Sequence, residues 1–263
     1  MIRALFSAGS GMNAQQMSID NIANNLANAN TVGFKARRTQ FQDLLYQSFQ
    51  QPGSNATAQT LVPSGLQVGL GSRPSANSVI FTQGSFQETD NPLDLVIQGK
   101  GFFQIRRSDG TTAYTRAGNF QLDATGNIVD ANGNALEPQI TIPQTAQVIS
   151  IASDGTVSYT QPGTTTTQVA GQIQLANFTN PGGLNSIGSG LFLPTDASGE
   201  AVVGNPGGQE GMGTLQQGYV ENSNVSIVEE FIDMLSSQRA YEASTKVAKA
   251  ADDMYSQVNN IPR

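Results

Sequence analysis

Two segments at opposite ends of the chain carry the spacing of helices that lie along other helices, and they constrain everything between them. Leu5, Ala8, Met12, Gln15, Ile19, Ile22, Leu26 and Ala29 step by three and four, the spacing of one helical face. This predicts a helix over about residues 3–30, on the order of 40 Å long at about 1.5 Å rise per residue. Gly9 and Gly11 weaken its first turns by about 1 kcal/mol each relative to Ala. A second segment opens at Ser226-Ile227-Val228-Glu229, the form of a capping box in which hydroxyl and carboxylate each satisfy an amide donor. Ile227, Val228, Phe231, Ile232, Met234, Leu235 and Tyr241 follow as a broad apolar stripe, extended by Ala243, Val247, Ala248, Ala251 and Met254.

The first helix has an unusual polar coat: Asn13, Gln15, Gln16, Asn21, Asn24, Asn25, Asn28 and Asn30 stand where a solvated helix carries Lys and Glu. Amides hydrogen-bond without the cost of desolvating a charge. Two readings follow: a helix with neighbours on several sides in an array, or one packed on its own domain with an amide-rich exposed face.

Between the helical ends the pattern changes to β-structure. Leu95-Val96-Ile97, Phe102 to Ile105, Tyr114-Thr115, Phe120 to Leu122, Val148 to Ile151, Val157 to Tyr159 and Ile173 to Leu175 are short apolar or alternating runs. Asp109-Gly110, Gly126-Asn127, Asn132-Gly133 and Asp154-Gly155 separate them, supplying the positive φ of tight hairpins. Earlier, residues 50–74 are rich in Gln, Ser, Thr, Asn and Gly, punctuated by Pro52, Pro63 and Pro74 and uncharged until Arg73. Leu66, Val68 and Leu70 alternate there as a strand does, so the stretch of about 47–74 reads as an extended, hairpin-like excursion.

The expected fold class is therefore α+β. Residues 1–30 and 222–263 form a discontinuous, coiled-coil-like helical core. Residues 31–77 and 207–221 form a connecting domain carrying the excursion, and residues 78–206 form an outer antiparallel β-domain.

Composition limits the chemistry. The 263 residues, 38% apolar, suffice for one large or two ordinary domains. A net charge of -7 repels nucleic acid and anionic membrane surfaces, so neither is an expected partner, and no window approaches a membrane span. Cys, His and Trp are absent, which removes disulfides, Ser-His-Asp and Cys-His nucleophilic sites and the common zinc, copper and haem sites. Met1 to Ala8 is too short an apolar patch for a cleaved signal. Asp130-Ala131-Asn132-Gly133-Asn134 opens like a calcium loop, but Ala135 replaces the glycine and Thr141 the bidentate glutamate, so it reads as a hairpin turn. Carboxylate pairs such as Asp90 and Asp94 are what any β-domain of this size offers. Gly99-Lys100-Gly101 lacks the rest of a dinucleotide loop. No cofactor or metal and no catalytic residue is expected, and nothing demands an enzyme.

The order of several longer motifs is more specific. Asn25-Leu26-Ala27-Asn28-Ala29-Asn30-Thr31-Val32-Gly33-Phe34-Lys35 near the start is matched near the end by Glu229 to Leu235 and Gln238 to Ala243. Between them lie Gly99-Lys100-Gly101-Phe102-Phe103, Tyr114-Thr115-Arg116 and Gln217-Gly218-Tyr219-Val220-Glu221. Over essentially its whole length the chain resembles the rod and hook proteins of the bacterial flagellum. It is too short for a typical hook protein, and its 47–74 stretch is similar to the segment that sets the distal rod apart from the proximal rod. The resemblance implies a structural subunit exported through the flagellar type III channel without a cleaved signal. Such a subunit polymerises into a straight hollow drive shaft across the periplasm. Implied partners are copies of itself, proximal rod and hook proteins at its ends, the surrounding P- and L-rings, and the rod cap. The expected self-assembly residues are Leu5, Met12, Ile19, Ile22, Leu26, Val228, Phe231, Ile232, Leu235 and Tyr241. Gln50, Pro52, Pro63, Leu66 and Val68 are the expected stiffening residues. The rival readings are a proximal rod protein of the same family and, in a different class, a secreted monomeric β-domain binding module or adhesin with a helical stalk.

Overall fold

The computed structural model describes residues 2–53, 55–57, 60–61, 63–163, 166–208 and 211–259. Positions 54, 58, 59 and 62 of the 47–74 stretch, and 260–263 of the C-terminal segment, lie outside the described residues. The chain is α+β: two long helices and a mostly antiparallel set of strands. It divides into two compact units, one of residues 1–27, 37–79 and 226–263, the other of residues 28–36 and 80–225.

In the first unit, helix α1 (Ile2–Ala27) and helix α2 (Ile227–Asn259) pack on each other. Beside α1 lie β1 (Arg37–Asp43), β2 (Tyr46–Gln50), β3 (Asn55–Thr57), β4 (Thr60–Leu61), β5 (Leu66–Gly69) and β6 (Ser72–Val79). These pair antiparallel as β1 with β6, β2 with β5 and β3 with β4. The Leu66 to Val68 alternation is thus a strand. Ser226 precedes α2 as expected, but its hydroxyl accepts from the Glu229 amide at 3.5 Å, a weak cap. The Ser226 carbonyl accepts from Glu230 N at 3.0 Å and opens the helix. The apolar side chains buried in this unit, among the described residues, are Ala8, Ala14, Ile22 and Ala251.

The second unit has an ordinary core. Its strands are β7 (Phe86–Glu88), β8 (Leu95–Gln98), β9 (Phe102–Arg106), β10 (Thr112–Thr115), β11 (Gln121–Leu122), β12 (Ile128–Val129), β13 (Ala135–Glu137) and β14 (Val148–Ile151). They continue with β15 (Thr156–Thr160), β16 (Gln168–Gln172), β17 (Leu175–Asn177), β18 (Asn185–Gly188), β19 (Leu191–Leu193), β20 (Val202–Gly204), β21 (Thr214–Gln217) and β22 (Tyr219–Glu221). The main sheet runs β11-β12-β13-β9-β10-β19-β18, with β17 joining β9 to β20. Strands β14, β15 and β16 form a second sheet, and β8–β21 and β7–β22 are two-stranded ribbons.

Phe103, Ile105, Ile128, Leu136, Val157, Ile173 and Leu175 are sealed from solvent, with Phe103 and Phe120 edge to face at 5.1 Å. A second cluster gathers Phe102, Tyr114, Phe178 and Phe192 around Phe81. The expected turns are made as the residue types dictate, with positive φ at Gly110, Gly126, Gly133 and Gly155. Gly99 and Gly101, both at positive φ, form the bend joining β8 to β9. Asp130 accepts from the amides of Asn132 and Asn134, both at 2.8 Å, within its turn.

Candidate assembly surface

The face that α1 offers to α2 is small and polar. Gly11 lies so close to Ser244 that an added Cβ would meet its hydroxyl at 3.4 Å. The hydroxyls of Ser18 and Ser237 are 3.4 Å apart, and Asn25 Nδ2 donates to Glu230 Oε1 at 2.9 Å. Gly11, Ser18 and Asn25 therefore advance by seven while Ser244, Ser237 and Glu230 retreat by seven, so the helices run antiparallel with contacts repeating at a heptad interval. Thr245 donates to the Met12 sulfur at 3.5 Å beside this line.

The row read from the sequence, Leu5, Met12, Ile19 and Leu26, lies one residue over. All four are half-buried, and Ile22 is buried. On α2 the proposed assembly residues Val228, Phe231, Ile232, Leu235 and Tyr241 are exposed, Val228 at 70% and Ile232 at 59%. Phe6, Ile227, Val247 and Met254 are exposed as well. Most of the large apolar side chains left open to solvent belong to this unit, the reverse of what a self-sufficient helix pair shows. A shallow hollow of about 570 Å³ on α1 is lined by Leu5, Phe6, Gly9, Ser10 and Asn13.

Within the polar coat Gln16 donates to Asp20 Oδ1 at 3.0 Å, and Asn21 and Asn25 reach the strand beside the helix. Asn21 donates to Thr39 Oγ1 and Asn77 Oδ1, each at 2.8 Å. Asn25 mimics a strand neighbour, donating to the Arg37 carbonyl and accepting from the Arg37 amide, both at 2.9 Å. Burial pushes the Glu230 carboxyl above its ordinary value; the Asn25 amide opposes this, while Asp233 and Glu229 add to it.

In the 47–74 stretch, Gln50, Pro52 and Pro63 are exposed, as are Phe49, Leu66 and Val68, and just before it Leu45 and Tyr46. Arg3 lies over the Phe49 ring at 4.6 Å, which holds an otherwise open aromatic by its face.

The motif residues 28–35 do different work, inside the second unit. A turn closes where Thr31 N donates to the Asn28 carbonyl at 3.1 Å. Gly33 then donates to the Glu221 carbonyl at 2.7 Å. Its φ of +70 and the backbone of Ala117, 2.5 Å from where a Cβ would sit, leave room for glycine alone. Phe34 is half-buried, Thr31 exposed.

Lys35 is fully buried and donates to Glu221 Oε1 at 2.6 Å and to the Thr82 carbonyl at 2.8 Å. Glu221 Oε1 also accepts from Gly84 N at 2.9 Å. Arg116, 5% exposed, approaches Glu221 Oε2 at 3.5 Å and spends its donors on the carbonyls of Ile97 and Gly99. Neither Arg116 Nε nor Glu221 Oε2 has a hydrogen-bond partner. Burial lowers the Lys35 pKa, and Glu221 opposes it. Asn224 completes the junction: its oxygen accepts from Ala36 N at 2.7 Å and its amide donates to the Ile80 carbonyl at 2.9 Å.

This cluster locks the fold; it offers no open reactive centre. Sequence reasoning quoted Lys35, Arg116 and Glu221 in three separate motifs but did not join them. The signal available was a charged residue at a fixed place in each otherwise uncharged motif.

Helical ends with an uncovered apolar face bracket a β-domain in chain order, and three family models match along that order. Residues 5–35 match the model described as "Flagella basal body rod protein". Residues 96–176 match "Flagellar hook protein FlgE/F/G D1 domain", and 216–261 match "Flagellar basal body rod FlgEFG protein C-terminal". The flagellar basal-body rod protein FlgG of Caulobacter vibrioides is 49% identical over 254 residues, 96% of this chain and 97% of that one. FlgG of Bacillus subtilis is 41% identical over the full length of both chains, whereas the flagellar hook-basal body complex protein FlhP of the same organism is 30% identical over 99% of this chain and 100% of its own. The chain belongs to the FlgG family of flagellar basal-body rod proteins, and it is a structural subunit of the rod. No helix among the described residues is long and apolar enough to cross a membrane.

Proposed function

We propose that the chain polymerises through the exposed faces of α1 and α2 into the straight, hollow distal part of the rod, a shaft that passes torque from motor to hook around a central export channel. The observation that carries this is the imbalance in the first unit: four small or branched side chains buried, and Val228, Phe231, Ile232 and Leu235 open. Burying each against a neighbour yields about 1.5–3 kcal/mol, and contacts that repeat head to tail without closing give a filament. The antiparallel helix pair acts as one strand of a larger coiled-coil-like core. The 47–74 stretch, with its exposed Phe49, Leu66 and Val68, reaches a neighbouring subunit as a hairpin-like excursion and resists sliding. No catalysis is involved. The subunit leaves the cytoplasm by the flagellar type III route under its rod cap, meets proximal rod and hook proteins at its two ends, and turns within the P- and L-rings.

Electron microscopy and sedimentation of concentrated protein test this. Tubes or concentration-dependent polymers are expected from the native chain and lost in Phe231→Asp/Leu235→Asp. A persistent monomer from the native chain overturns the reading and favours a monomeric binding module.

A further inference from the structure

Charge is divided unevenly between the two units, a division that assembly through helices alone leaves unexplained. The first, helical unit holds eight basic and eight acidic residues and is neutral. The second, or β-unit, holds five basic and twelve acidic residues, so the whole net charge of -7 belongs to it. Two of its five cations, Lys35 and Arg116, are buried with Glu221 away from the surface. That leaves Lys100, Arg106 and Arg107 against eleven other carboxylates. Arg106 and Arg107 are themselves paired, with Glu137 at 2.8 Å and Asp109 at 2.7 Å.

Several of these carboxylates are held ionised by their own turns. Hydrogen bonds from the Thr125 hydroxyl and the Asn127 amide pull Asp123 down to about 2, and those from Thr111 and Thr156 lower Asp109 and Asp154. All three are exposed, so the anionic surface persists under mildly acidic conditions instead of titrating away.

The two units therefore act on assembly in opposite directions. Contacts between helical units join surfaces without net charge, where apolar burial supplies the attraction. Each copy added also brings a β-unit of -7 beside others of the same sign, which self-repel. Take β-units about 40 Å apart, the diameter of a domain of this length. At about 0.01 M salt, where the screening length is about 30 Å, the repulsion opposes association about tenfold per neighbour; at about 0.15 M, where that length is about 8 Å, it almost vanishes. An interface built on exposed ion pairs responds in the opposite sense, because salt weakens it.

We propose that the acidic β-unit is an electrostatic brake on polymerisation that ionic strength releases: the helical unit supplies the attraction, and the β-unit sets the salt concentration at which attraction wins. This rests on the assembly reading given above. The critical concentration for polymerisation of the full chain is measured by sedimentation at about pH 7, in about 0.01 M and about 0.15 M sodium chloride. A fall of tenfold or more at the higher salt is expected. Glu88→Gln/Asp90→Asn/Asp196→Asn/Glu200→Gln removes four exposed carboxylates. That variant should polymerise in low salt nearly as the native chain does in high salt, with a remaining salt dependence of about twofold. If it does not fold, Glu88→Gln/Asp90→Asn takes its place, with an intermediate dependence expected. A native critical concentration that is unchanged or rises with salt overturns the proposal. So does an equal fall in native chain and variant, which marks general salting-out. In both of those results polymers form and the assembly reading stands; polymers absent at every salt concentration overturn the two together.

Discussion

Lys35 shows how much one side chain in the motif carries. Its ammonium is fully buried against Glu221, and the other carboxylate oxygen has only Arg116 at 3.5 Å. Removing one partner of a buried pair leaves an uncompensated charge, at a cost of about 3–5 kcal/mol. Lys35→Met is therefore expected to lower the unfolding free energy of the β-domain, measured by urea titration, by that much, and Lys35→Met/Glu221→Leu to recover a large part of it. Glu230 gives a prediction with the opposite sense. Its carboxyl is raised in the folded chain, first by burial and then by Asp233 and Glu229. Above the raised folded value both states are ionised and the native state bears the full penalty; below the ordinary value of 4.5 both are protonated and there is none. Glu230→Gln keeps an acceptor for Asn25, so it should stabilise the helix pair slightly at pH 7. Thermal melts of the two proteins should converge as the pH falls through the raised value towards 4.5.

At the scale of elements, the helices and their seam separate what periodicity reveals from what packing selects. Periodicity found α1 and α2 because apolar residues at steps of three and four are a local property. It put the seam at Leu5, Met12, Ile19 and Leu26, while the closest contacts of α2 are at Gly11, Ser18 and Asn25, one position round the helix. Small side chains let two helices approach, and a pattern search weighted by hydrophobicity passes over them. A seam of Gly, Ser and Asn buries little apolar area, whereas ordering each residue costs about 1–2 kcal/mol of backbone entropy. The terminal helices of dilute subunit should therefore exchange amide hydrogen quickly, within minutes, while Phe103, Ile105 and Leu175 stay protected. Strong protection of residues 5–29 in monomer would refute this. The short β-turns were readable from Asp-Gly and Asn-Gly pairs. The β1–β6 ladder was not, because Arg37 meets Val79 across a long, amide-rich loop with no alternation strong enough to declare a partner.

For the molecule as a whole, the division of labour between the two units follows from where apolar surface is spent. The β-unit closes its own core; the helical unit leaves Phe231, Ile232, Leu235 and Val228 outside. If the exposed 47–74 stretch braces neighbouring subunits, its deletion should leave polymerisation intact and produce curved or flexible tubes under the electron microscope. Straight, stiff tubes from the deletion variant would remove the bracing role.

What the sequence determined by itself was local or cumulative: helix spacing, turn chemistry, the chemistries excluded by missing Cys and His, and motifs long enough to carry a family. Tertiary structure alone decided which groups meet across the chain. It set Lys35 against Glu221, 186 positions away, and it turned α1 by one residue to meet α2. The reason is physical: periodicity and turn propensity act within a few residues, whereas the cost of a buried charge or an unpaired amide is set by whatever the fold places beside it.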